Sequence, residues 1–132
     1  MSEENVELAR RSSELFNRRD LQGFLGLMAK DVRFQPQLAA PSEGHDELRR
    51  LWDVLIEGSE LRTEIVEIRD LGADLVLAAV RERGYGVATG TGAFTQTVWV
   101  PSCWRHGECV WWGVFFSEHD ALQALEAAGL SG

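Results

Sequence analysis

The segment Cys109–Phe116, CVWWGVFF, constrains this chain more than any other. As a strand it would place Val110, Trp112, Val114 and Phe116 on one face. Cys109, Trp111, Gly113 and Phe115 would lie on the other. Both faces are apolar, whereas an antiparallel strand with one wet face alternates apolar with polar. Both faces must therefore be covered. In 132 residues the helices expected below suffice for one face. The sequence therefore predicts that a second copy covers the other, making a homodimer through the outer sheet face.

The remaining elements follow from period and caps. A first helix is predicted from Glu3 to Arg18, capped by Ser2, with Glu3 and Glu4 at its positive end. Asp20 caps a second helix whose Leu21, Phe24, Leu25 and Met28 form an apolar stripe. Asp31–Gln35 reads as a short strand closed by Pro36, and a loop through Pro41 follows. A third helix runs from His45 to Glu57 with Leu48, Leu51, Trp52 and Leu55 on one side, and Gly58 ends it. The period then changes to that of strands, at Leu61–Arg69, Asp74–Arg83, Ala93–Cys103 and Cys109–Phe116. Gly84–Gly92 reads as their glycine-rich connection, and Arg105-His106-Gly107 as a turn. Ser117 caps a last helix, Ala121–Ala127. Helices followed by a meander of strands predict a single α+β domain with an antiparallel sheet.

Charge narrows the function. There are 21 acidic and 13 basic residues, a net charge of −8. Binding to nucleic-acid phosphates or an anionic membrane surface needs the opposite balance. The doublets Arg10-Arg11, Arg18-Arg19 and Arg49-Arg50 fall on helices and read as solvated faces. No apolar run reaches the ~20 residues of a membrane helix. The acidic start MSEENVELARR is unlike a secretory signal, so a cytoplasmic location is expected. Cys103 and Cys109 are then expected as thiols, although the intervening turn could bring them face to face.

Several segments resemble SnoaL-like proteins of the nuclear transport factor 2-like superfamily. They are ARRSSELFNRRD with LQGFLGLMAKDVRF, EGHDELRRLW, and the closing TVW, GECVWWGVFF and ALEAAGL. The resemblance implies a curved antiparallel sheet wrapped around three N-terminal helices as a cone, with an apolar cavity and sheet-to-sheet dimers. It does not fix a reaction, because ketosteroid isomerases, polyketide cyclases, epoxide hydrolases and dehydratases share the fold.

The isomerase-like relatives use a helix tyrosine, a carboxylate base after the first strand and a protonated aspartate on the third long strand. This chain has Ser12, Gln35 and Thr97 at or near those positions. An amide does not remove a carbon-bound proton as a carboxylate does, so isomerase chemistry of that kind is not expected. Ser12, Gln35 and Thr97 are left as residues that orient a ligand or as ordinary satisfied polar groups. Glu82 shares its alternation with Val76, Ala78 and Val80 and is the one catalytic candidate. Its alternative is an ion-paired surface residue beside Arg81 and Arg83.

His45, His106 and His119 are scattered, so neither metal nor another cofactor is expected. Gly84–Gly92 lacks the lysine of a phosphate loop. If Arg105 pairs with Glu108, then Trp112 faces Pro101, Val114 faces Trp99, and Phe116 faces Thr97. One wall would then carry Trp99, Trp112, Val114 and Phe116, completed by Phe16, Phe34 and Trp52 from the helical side. Such a wall suits a small hydrophobic or polycyclic ligand; otherwise the rings simply fill the cone. The sequence thus points to a small-molecule protein, possessing an aromatic pocket, or to a non-catalytic dimer with a filled interior.

Overall fold

Two tight turns set the register of the sheet. His106 and Gly107 have φ of 54° and 78°, and Ala73 and Asp74 have φ of 52° and 70°. Two consecutive left-handed residues match the twist of a two-residue hairpin. The computed structural model containing these turns describes residues 2–36, 40–56, 60–85 and 93–130.

The elements are α1 (Ser2–Asn17), α2 (Leu21–Gly26), β1 (Met28–Gln35), β2 (Ser42–Glu43), α3 (His45–Leu51), β3 (Arg62–Gly72), β4 (Leu75–Tyr85), β5 (Ala93–Arg105), β6 (Glu108–Gly113) and α4 (Glu118–Ala127). The fold is α+β: one curved, open sheet of six strands in the order β2-β1-β6-β5-β4-β3. Four pairings are antiparallel, but β1 runs parallel to β6, which the expected meander lacked. Met28, expected in the second helix, opens β1, because α2 already ends at Gly26. Ser2 is the first helical residue and not the residue before it. Asp20 does cap α2, accepting from Gly23 N at 2.8 Å. Ser117 caps α4 by accepting from Asp120 N. The third helix changes to a π-helical turn at Trp52–Ile56, and its expected end at Gly58 lies outside the described residues. Most of the glycine-rich connection, residues 86–92, also lies outside them.

Helices α1, α2 and α3 pack on one face of the sheet, here the inner face. Its core joins Leu15, Phe24, Leu25, Val32, Phe34, Leu48, Trp52, Val76, Trp104 and Cys109. The other face has its own cover. Leu125 and Leu130 pack with Leu75, Cys103 and Trp111, and Arg69 of β3 pairs with Glu118 at the start of α4. The premise that this chain has helix for only one face is therefore corrected. α4 covers the outer face behind the last hairpin, so Trp111 needs no second chain to bury it. No described helix is long and apolar enough to cross a membrane.

Candidate functional site

The inner face changes character along β5. Pairing of β5 with β4 sets Gln96 opposite Glu82, Val98 opposite Val80, Val100 opposite Ala78 and Ser102 opposite Val76. At the first of these pairs Gln96 Nε2 donates to Glu82 Oε1 at 2.8 Å. Glu82 is only 8% exposed, and among the described residues it is the one charged side chain that is buried. Its neighbours Arg81 and Arg83 are exposed, and Arg81 pairs with Glu64 at 2.8 Å. Alternation thus turns the arginines outward and the carboxylate inward, so Glu82 is not the surface residue that the sequence left as its alternative.

Beside Glu82 the polar groups of α1 and β3 are tied together. Thr63 is the cross-strand partner of Glu82. Asn17 Oδ1 accepts from Thr63 N at 2.9 Å, and Asn17 Nδ2 donates to Thr63 O at 2.9 Å. Ser13 Oγ and Thr63 Oγ1 share a further bond at 3.1 Å. These bonds fasten the end of α1 over the start of β3.

Next along the inner face is an apolar strip. Ala78, Val80 and Val98 are buried, while Ile65, Ile68, Val100 and Val114 beside them keep part of their surface. Beyond the strip is the aromatic floor. Phe34 and Trp112 are stacked with centroids 5.2 Å apart and planes 9° from parallel. Trp52 meets Phe16 edge-on at 5.8 Å and Phe24 at 5.3 Å. Trp104 Nε1 donates to buried Ser102 at 2.8 Å, whereas the buried Nε1 of Trp112 has no acceptor among the described residues. The carboxylate and this floor are separated by the six residue steps from Gln96 to Ser102, roughly 20 Å of extended strand.

Of the residues expected to form the site, Phe16, Phe34, Trp52, Trp112 and Val114 belong to the inner clusters. Glu82 faces the same side. Trp99, Thr97 and Gln35 do not. Arg105 pairs with Glu108 as expected, but the register then shifts between Cys103 and Trp104. Trp112 consequently sits opposite Ser102, not Pro101, and Phe115, not Val114, bridges to Trp99. That one-residue bulge transfers Trp99 and Thr97 to the outer face, opposite Ala79 and Arg81. Gln35 pairs with Gly113 and points away from the face that buries Phe34. Phe116 is 50% exposed, and not opposite Thr97 as expected. Ser12 bonds the Ala9 carbonyl of its own helix at 2.7 Å.

The pairing of Cys109 with Trp104 puts the two cysteines on opposite faces. Cys109 joins the inner core, and Cys103 joins the outer cluster under α4; both are free thiols. Burial raises the pKa of each. No group of three or more potential metal ligands occurs among the described residues.

Gln96 was overlooked as a partner of Glu82, although its alternation with Val98 and Val100 marks it as inward. Placing it opposite Glu82 needs the β4–β5 register, which the glycine-rich connection obscures. Two surface depressions lie elsewhere. One runs along α1 past Glu3, Glu7 and Glu14; the other lies beside α4, at Leu71, Leu75, Leu122 and Leu125. Neither includes Glu82 or Trp112.

Known structures share this architecture. An NTF2-like protein of unknown function from Burkholderia pseudomallei is 23% identical, with a TM-score of 0.76 and 97% of each chain covered. A putative polyketide cyclase from Xanthomonas campestris pv. campestris is 15% identical, with a TM-score of 0.79 over 99% of this chain and 98% of that one. A Mycobacterium tuberculosis protein in complex with estradiol-17beta-hemisuccinate is 14% identical, with a TM-score of 0.73 over 88% of this chain and 95% of its own. At these identities the likeness is one of fold. No curated protein matches the chain. The SnoaL-like domain matches residues 9–112, most of the sequence, and the chain belongs to that family.

Proposed function

We propose that this protein binds a small hydrophobic or polycyclic compound on its inner sheet face and acts on it through Glu82, without a cofactor. The observation carrying this reading is the buried Glu82 carboxylate, held by Gln96 at the edge of a half-covered apolar strip. A carboxylate in such surroundings can take a proton from a substrate and return it elsewhere. That is the elementary step of an isomerase, a cyclase or a hydrolase. The fold likeness to a putative polyketide cyclase and to a protein solved with a steroid ester supports a ligand of this class. The setting is the cytoplasm, where the two buried thiols stay reduced.

The working unit is a homodimer through the part of the outer sheet face that α4 leaves open. Val66 is 46% exposed, and Trp99 keeps part of its surface there. The test of binding is titration of the protein with a panel of polycyclic compounds, followed by tryptophan fluorescence. Saturable quenching supports the reading, and a flat response across the panel contradicts it. For any compound that turns over, Glu82→Gln should abolish turnover while leaving binding measurable. Unchanged turnover would remove Glu82 from the chemistry.

A second reading rests on the fully buried Trp52 and Phe34. They fill the deep end of the inner face, which suits a non-catalytic interaction dimer with a largely filled interior. A dimer with no response to the panel would favour it.

A further inference from the structure

An indole nitrogen donates a hydrogen bond and cannot accept one. Two indoles belong to the deep inner face, and they fare differently. Trp104 Nε1 donates to Ser102 Oγ at 2.8 Å. Trp112 stands opposite the same Ser102 in the sheet, yet its Nε1 is buried without an acceptor. Among the described residues no other buried side-chain nitrogen or oxygen is left in that state. Folded proteins tolerate few such groups, because each forfeits the bond it would make to water. The ring of Trp112 is explained by packing, since it stacks on Phe34. Its nitrogen is not, since phenylalanine would stack there without a stranded donor. The cover around it is also incomplete. Trp112 keeps part of its surface, as do Val114, which follows it on this face, and Val100, which precedes Ser102 on it.

We propose that Trp112 Nε1 orients the ligand, by donating to the neutral carbonyl oxygen of a flat apolar compound seated against Val100 and Val114. This rests on the reading above that the inner face binds a ligand. It adds the group by which that ligand is held. No bond within the protein has to break to free the donor, so the bond to the ligand is nearly all gain. A carbonyl loses its bonds to water on entering an apolar site, and a waiting donor offsets that loss. Gln96 and Ser102, the partners of Glu82 and Trp112, are six residue steps apart, roughly 20 Å. The carbonyl is therefore a handle at the far end of an elongated compound from the position that Glu82 acts on.

The test is titration with 1-indanone and indane, which share a flat ring frame and differ by the carbonyl, followed by proton–nitrogen correlation spectra. The wild-type protein should bind 1-indanone about tenfold more tightly than indane, although indane is the more apolar of the two. The indole proton of Trp112 should lie farther downfield with indanone than with indane. Trp112→Phe keeps an aromatic ring against Phe34 and loses the N–H. In that variant the two compounds should bind within about threefold of each other. Equal binding to the wild-type protein, or an unmoved Trp112 indole signal while indanone binds, would overturn the proposal and leave ligand binding intact. These two readings do not need the variant to fold. A tenfold preference that survives in folded Trp112→Phe would overturn it too. Failure of both compounds to bind would remove the underlying reading as well.

Discussion

Phe34 of β1 and Trp112 of β6 face each other across the parallel pair and stack at 5.2 Å. This contact joins the first strand to the last and forms part of the aromatic floor. Phe34 is 1% exposed, so its loss leaves a cavity that the sheet cannot close. Phe34→Ala should lower stability by about 3–5 kcal/mol in urea denaturation. Phe34→Leu should cost less than half of that. A near-neutral Phe34→Ala would show that the strand pair does not depend on the stack.

The end of α1 depends on Asn17. Its side chain makes three hydrogen bonds to Thr63, two of them to the backbone. Asn17→Ala should destabilise the protein by about 2 kcal/mol. It should also accelerate amide exchange at Thr63. Unaltered exchange there would mean that α1 is held by its apolar side alone.

The thiols give a pH prediction. Burial raises the pKa of Cys109 and Cys103 above the ordinary 9.0. The folded state thus keeps a proton that the unfolded chain gives up near pH 9. Their contribution to stability is complete below that pH and falls as pH rises above it. Denaturation midpoints should be flat from pH 7 to 8.5 and decline above about 9. A thiol reagent at pH 8 should modify neither cysteine until denaturant is added. Rapid modification of Cys109 in the native protein would contradict its burial.

The proposed dimer makes Trp99 an interface residue. Sedimentation at micromolar concentration should give a dimer, and Trp99→Glu should give a folded monomer. A wild-type monomer would leave Val66 and Trp99 as ordinary surface.

Much of this was legible in the sequence, and the misses have physical causes. The two apolar faces of Cys109–Phe116 correctly demanded cover on both sides. That α4 covers part of the outer face was missed, because a helix as short as α4 gives no sign of which face it will choose. Alternation along β4, unbroken from Val76, marked Glu82 as a candidate for the inner face, while the flanking Arg81 and Arg83 kept a surface position open. Trp99 and Thr97 were not, because the bulge near Val110 turns every later pairing by one residue and nothing in CVWWGVFF marks it. Gln35 was placed in the site by analogy with relatives. The simple alternation of Val32 and Phe34 already argued for the opposite face. The parallel pairing of β1 with β6 could not be read locally, since it joins strands at opposite ends of the chain.

The most direct test of the central claim is a proton–nitrogen correlation spectrum recorded while 2-naphthol is added. The five tryptophan indoles are placed to report the face that binds: Trp52, Trp104 and Trp112 are inner, Trp99 and Trp111 outer. Binding beside Glu82 should shift the side-chain amide of Gln96 and leave Trp99 and Trp111 in place. Shifts confined to Trp99 or Trp111, or no shift at saturating ligand, would contradict an inner-face site.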